Sequence, residues 1–175
     1  YHLKYADIMQ NYDKIGGFGA LIHDSHYGKV RHYPLIGTKA FYSLTNEDVN
    51  KFKKAIAFMA RVYLKSGAKK VYPFVNHEMN CLENEADIEA FMQAKIRNQD
   101  IESMGFHPLG TLRMGTNKKE SVVDKNCLIH NMENLYACDG SVVPTMLGVN
   151  PQVTIMNFAN LLGDHLSSFL DPSYT

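Results

Sequence analysis

Three short runs carry residue types that could do chemistry together. They are HPLGTLRMG at His107–Gly115, DGSVVPT at Asp139–Thr145, and Asn150-Pro151-Gln152. A neutral imidazole titrates near physiological pH and can take a proton from a hydroxyl. Pro108 and Gly110 constrain the backbone around His107 enough to fix a ring direction, although a histidine satisfied by a loop carbonyl explains the same residue. Asp139-Gly140 follows the apolar run LYAC. It reads either as a strand-end acid gripping a sugar-like hydroxyl, with glycine permitting close approach, or as an ordinary Asp-Gly turn. Asn150 before Pro151 is a strong helix start. A helix N-terminus carries about half a positive charge and unpaired N–H groups, which would stabilise negative charge on a bound electron-rich ring. The Asn150 amide could also reach a substrate oxygen, and a simple helix cap would account for it too.

These runs need elements to position them. Residues 20–44 read as strands joined by tight turns: ALIHD, then KVRHYPL, then AFYSL, with Tyr27-Gly28 and Ile36-Gly37 supplying the turn chemistry. His23, His26 and His32 fall close together there. Alternation scatters them over different strands and faces, which suits sheet histidines better than a metal site. The Gly16-Gly17-Phe18-Gly19 run follows no apolar strand and lacks the spacing of a nucleotide-binding loop, so a bend or bulge entering a strand is expected. Thr45 opens the clearest helix. It is followed by early acids, an apolar face of Val49, Phe52, Ile56, Met59 and Tyr63, and a terminating Gly67. KVYPFV at 70–75 predicts a strand with Pro73 at an edge or bulge, and Asp87–Asn98 a shorter helix with Ile88, Phe91, Met92 and Ile96 inward. LYAC at 135–138 is a buried-strand candidate. The last helix should turn Val153, Met156, Ala159, Leu162, Leu166 and Phe169 to the core.

Whole-chain quantities narrow the class. At 175 residues the chain makes one large domain, or one and a half, and its 45% hydrophobic content supplies a substantial core. Lys+Arg and Asp+Glu both number 18, so no net charge steers it toward nucleic acid or an anionic membrane. No apolar run approaches the ~20 residues of a membrane span. Three cysteines, Cys81, Cys127 and Cys138, show no paired spacing, which argues against a disulfide framework and for a reducing, cytoplasmic compartment. The chain opens at Tyr1 rather than methionine, which suggests a fragment or processed product.

The ordered motifs HPLGTLRMG, VVD, NLYACDGSVVPT and GVNPQVTIM resemble the C-terminal part of the glucose–methanol–choline (GMC) flavin oxidoreductases over about residues 106–166. The resemblance implies an α+β fold. Residues 1–105 would form an antiparallel substrate-binding sheet with packed helices, and residues 106–175 a catalytic, FAD-contacting segment whose strand and helix return to the FAD domain. It implies FAD as cofactor and an alcohol as substrate. His107 would remove the hydroxyl proton as hydride passes to flavin N5, and Asn150 would fill the partner position. Asp139 and Gly140 would sit by the ribityl–phosphate region, and Asn150, Pro151 and Gln152 under the pyrimidine end of the flavin.

Two departures stand out. Leu112 occupies a position where the family often has cysteine, a packing matter. The N-terminal Rossmann unit with its glycine fingerprint has no counterpart, and Asp139 with a helix dipole cannot cradle a pyrophosphate alone. The expectation is therefore the C-terminal piece of a flavoenzyme that needs an FAD-binding domain from the same or a partner chain. Alone it should bind little FAD and turn over nothing. The alternative is a non-enzymatic module with the same fold that binds a ligand or a partner chain. A hydrolytic reading lacks a GxSxG elbow.

Overall fold

The computed structural model describes residue 6 and residues 8–170. In chain order its main elements are β1 (Lys29–Tyr33), β2 (Gly37–Phe41), α1 (Asn46–Lys65), α2 (Glu85–Gln93) and α3 (Gln152–Leu170), with 3-10 turns at Tyr12–Lys14, Asn98–Asp100 and Gly140–Val142. Helices and one small antiparallel sheet make this an α+β arrangement.

The expected run of three strands reduces to one hairpin. β1 and β2 pair antiparallel with Lys29 opposite Phe41 and Tyr33 opposite Gly37. Gly37 takes φ 74°, the left-handed conformation that closes a three-residue loop at little cost to glycine. ALIHD forms no ladder, because no neighbouring strand offers it partners. It runs as an extended strap held by side chains. Residues on both faces of the hairpin are open, with Val30, Leu35, Ile36 and Phe41 exposed. The sheet of this chain therefore covers no core.

Helix α1 follows the sequence closely. Asp48 N–H donates to Thr45 Oγ1 at 3.1 Å, and Thr45 N–H and hydroxyl donate to Asp48 Oδ2 at 3.2 and 2.6 Å, which completes a capping box. At the other end Gly67 takes φ 97°. Its N–H reaches Leu64 O and that of Ala68 reaches Tyr63 O, the bond pair that satisfies the last carbonyls of a helix. The most buried line of α1 is Val49, Lys53, Ala57 and Ala60, with the expected Phe52 and Ile56 packed beside it. The two alanines let α2 approach, and Ile88 and Phe91 of α2 are fully buried there with Leu82.

Helix α2 starts at Glu85, capped by Asn84 Oδ1, and stops at Gln93 rather than Asn98. Lys53 explains the early stop. Its Nζ donates to Ala94 O at 2.7 Å, and that residue has turned extended. Burial lowers the Lys53 pKa, and the carbonyl is its compensation. The strand expected at 70–75 survives only as single bridges, Val71 with Leu82 and Val75 with Ile101. Pro73 offers no N–H, and Phe74 sits at φ 39°, so no ladder can form between them. LYAC likewise keeps one bridge, Tyr136 with Leu128, and Leu135 is exposed.

Val123, Cys127, Val142 and Val143 are buried apart from the core between α1 and α2. Helix α3 lies nearby with its period as expected but its phase turned. Ile155, Phe158, Leu162, His165 and Leu166 are half-buried, whereas Val153, Met156 and Ala159 are exposed. Apolar residues occur on every side of this helix, so periodicity alone could not select the face. The Phe169 side chain, placed inward from the sequence, lies outside the described residues.

Burial opposes ionisation of Asp48, but hydrogen bonds from Thr45 and Ser25 outweigh it and hold the carboxyl well below the usual carboxylate range. The unfolded chain therefore binds this proton first. The stabilisation is full above about pH 4 and lost as pH falls below it. Thermal melts from about pH 5 downward should show Tm falling, and Asp48→Asn should flatten that fall. Asp100, hydrogen-bonded by Arg97 and lowered to about 2, leaves a residual slope. Asp48→Ala should cost ~3 kcal/mol in chemical denaturation.

Candidate functional site

The first two chemical runs lie side by side. Gly110 N–H donates to Gly140 O at 3.3 Å, Leu112 N–H to Ser141 O at 3.0 Å and Met114 N–H to Val142 O at 2.8 Å. The turn after His107 is thereby zipped along the turn after Asp139. Gly140 is the pivot. A Cβ there would lie 3.2 Å from Leu109 Cδ2, 3.4 Å from Ile155 Cδ1 and 3.4 Å from Pro108 O. The residue after His107 and the first turn of α3 thus meet on one glycine. The absence of a side chain at Gly140 admits the chain itself at close range.

The named residues differ in how they are held. His107 is half-buried, and no hydrogen bond engages its ring among the described residues. Asp139 is exposed and caps the Gly140–Val142 turn by accepting from Ser141 N–H at 2.7 Å. The Ser141 hydroxyl and N–H draw the Asp139 pKa down. The hydroxyl lies near enough to act on that charge yet completes no hydrogen bond, so it is a buried polar atom with capacity unspent. Pro151 is buried, and its carbonyl accepts from Ile155 N–H at 2.9 Å, so the helix begins one residue later than expected. Asn150 and Gln152 are exposed. No hydrogen bond from the Asn150 side chain occurs among the described residues, so its amide is not spent on a cap.

The sequence did not reveal what holds the Asn150 loop. His23 Nε2 lies 3.1 Å from Met146 O, and the ring sits over Gly148, which takes φ 69°. Arg113 lies over the Tyr27 ring at 5.4 Å. The strap at 20–28 therefore touches the first chemical run and the loop that leads to Asn150. Reading ALIHD as a strand hid this, because an alternating strand gives His23 no partner outside a sheet. His32 bonds across the hairpin to Thr38 at 3.1 Å. Among the described residues no group of three or more His, Cys, Asp or Glu is placed to hold a metal.

Other features lie apart from these runs. A concavity of about 360 Å³ is lined by Lys118, Asp124, Lys125, His130 and Asn131 among others, and none of His107, Asp139 or Asn150 reaches it. Ser121 Oγ lies 3.0 Å from His130 Nε2 but also 2.7 Å from Asn117 O and 3.0 Å from Gly115 O. Its proton goes to a carbonyl, so this pair fixes a loop and makes no nucleophile. No helix among the described residues is long and apolar enough to cross a membrane.

Gly140→Ala should force Pro108 O or the Ile155 side chain aside and cost ~1–3 kcal/mol in chemical denaturation. Gly16→Ala, where nothing lies within 4 Å of a Cβ, is the neutral control.

A family profile described as GMC oxidoreductase matches residues 30–159. A long-chain-alcohol oxidase of Arabidopsis thaliana is 28% identical over 173 residues, covering 93% of this chain and 22% of the relative. A GMC-type oxidoreductase of Sinorhizobium fredii is 29% identical over 155 residues, covering 88% and 30%. A 2-methyl-1,2-propanediol dehydrogenase of Mycolicibacterium austroafricanum is 41% identical over 63 residues, covering 36% and 11%. The chain spans less than a third of the length of these curated relatives. The likeness extends through the hairpin, α1 and α2 as well as the two chemical runs. The chain belongs to the GMC oxidoreductase family, of which it carries the C-terminal part.

Proposed function

We propose that this chain supplies the substrate-facing half of an FAD-dependent alcohol oxidoreductase. The observation that carries the reading is the convergence on Gly140 of the turn after His107, the Asp139 loop and the first turn of α3. The division at residues 105 and 106, into a substrate-binding part and a catalytic, FAD-contacting part, belongs to the same proposal. The alcohol-oxidising names of relatives support the reaction class.

The residues present fit such a cofactor. The Ser141 hydroxyl is buried with hydrogen-bonding capacity left, beside a carboxylate that has spent one oxygen on a local turn. The start of α3 leaves backbone N–H groups for negative charge. Asp139, Gly140, Asn150, Pro151 and Gln152 would line the flavin. FAD, when bound, supplies the hydride acceptor at N5.

His107 holds the other half of the chemistry. Its uncommitted imidazole takes the hydroxyl proton on a ring nitrogen while the alcohol carbon loses hydride. The Asn150 amide donates to the substrate oxygen as charge gathers there, and an amide not used as a cap is available for that. The FAD-binding unit comes from a Rossmann domain of the same or a partner polypeptide, docked on the exposed side of α3, where Val153, Met156 and Leu161 face outward. The same apolar side would serve a non-enzymatic module that captures a partner chain, and turnover separates the two readings.

With the FAD-binding domain supplied in the same assembly, alcohol should bleach the oxidised flavin absorbance. His107→Ala should slow bleaching ~10²–10⁴-fold, and Asn150→Ala ~10²-fold without loss of flavin. Unchanged bleaching in His107→Ala removes His107 as the base. Absence of flavin binding in the assembly favours the partner-capture module.

A further inference from the structure

Cys127 and Cys138, which the sequence leaves unrelated, are neighbours in the fold. The segments carrying them run antiparallel, with Leu128 bridged to Tyr136 and Ala137 N–H donating to Cys127 O at 3.0 Å. Their thiols lie near enough to act on one another's charge, with Cys127 buried and Cys138 half-buried. Cys81 belongs elsewhere, its sulfur 3.9 Å from Glu83 Oε1. We propose that Cys127 and Cys138 form a dithiol modification site that closes to a single disulfide when hydrogen peroxide reaches the folded chain.

Two further features of Cys127 support this. Its N–H donates to Asp124 O at 3.0 Å and its φ is 64°, at the end of a turn where the left-handed backbone favours glycine or asparagine. A cysteine is held there against that preference, its backbone paired with the residue next to Cys138. Cys127 also lines a cavity of about 170 Å³ with Phe158 and Leu162 of α3, so its side chain has free space beside it. Burial, and then the Cys138 sulfur beside it, push the Cys127 thiol up to about 12, so it stays protonated. Cys138, the more exposed of the two, meets the oxidant first.

The step balances. The Cys138 thiolate attacks one peroxide oxygen, the O–O bond breaks, and hydroxide leaves, giving a sulfenic acid. The Cys127 sulfur then attacks the Cys138 sulfur. The S–S bond forms, the S–O bond breaks, and the oxygen departs as water with the Cys127 proton. Two thiols and one peroxide yield one disulfide and two waters. The bond would tie the segment just before Asp139 to the turn at Asp124–Cys127.

The test treats the folded chain with a modest excess of hydrogen peroxide, quenches it, denatures in iodoacetamide and digests with a Glu-specific protease. Glu133 lies between the two cysteines, so only a disulfide can hold the resulting fragments together. The expected product is one linked species, two hydrogens lighter than the sum of its parts and separated by reductant, with Cys81 alkylated. Cys81→Ser should give the same linkage. In Cys127→Ser, Cys138 should accumulate sulfinic acid for want of a resolving thiol. Alkylation of both Cys127 and Cys138 after peroxide, linkage of either to Cys81, or sulfinic acid at Cys138 in the unsubstituted chain overturns the proposal.

Discussion

Asp48 is the carboxylate on which the rest of the arrangement hangs. It has no exposure to solvent, yet it is ionised. A buried charge of that kind is tolerable only when its oxygens are filled by donors. Thr45 fills one side from the N-cap of α1. Ser25 fills the other through its N–H at 2.9 Å and hydroxyl at 3.0 Å. One side chain thus caps the longest helix and pins a segment that has no sheet to join. From Ser25 the strap reaches in both directions, His23 to the Met146 carbonyl and Tyr27 to Arg113. The cap of α1 and the loop that carries Asn150 are mechanically connected through the three residues from His23 to Ser25.

The segment from His107 to Pro151 has a different logic. Its short segments form no regular sheet. They make single bridges, Met114 with Val123, Val123 with Ile129 and Leu128 with Tyr136. Such a region draws little from secondary-structure cooperativity and depends on local devices. Asp124 Oδ1 accepts from the N–H groups of Asn126 and Leu128, Ser121 bridges two carbonyls, and Asp139 caps one turn. Gly140 lets three segments meet where a methyl group would not fit. Polar turns of this kind hold loops in fixed positions while leaving their tips open, which suits residues meant to face a second body.

That openness unites the exposed features. The hairpin has no covered face, α3 shows Val153, Met156 and Leu161 outward, and His107 and Asn150 have uncommitted polar groups. Each is costly or idle in this chain alone. Together they are the surfaces on which the proposed docking of an FAD-binding domain rests.

Helix α1 was legible because its signals are local: Thr45 with Asp48 three residues on, an apolar period, and Gly67 where a left-handed residue is needed. The start of α3 was legible from Asn150-Pro151 to within one residue for the same reason. The chemical runs stood out because histidine, proline and glycine at close spacing have few structural excuses. What the sequence could not decide was anything set by a distant partner. ALIHD has the composition of a strand, but strands exist only where another strand accepts their hydrogen bonds, and none does. Lys53 ended α2 from another helix by claiming Ala94 O. The buried side of α3 depended on which neighbour it met, since apolar residues surround it. Cys127 and Cys138 are separated by ten residues and meet only because Leu128 pairs with Tyr136. Local physics is written in neighbouring residues and can be read there. Phase, pairing and proximity are settled by which surfaces meet, and that is decided only when the chain closes on itself.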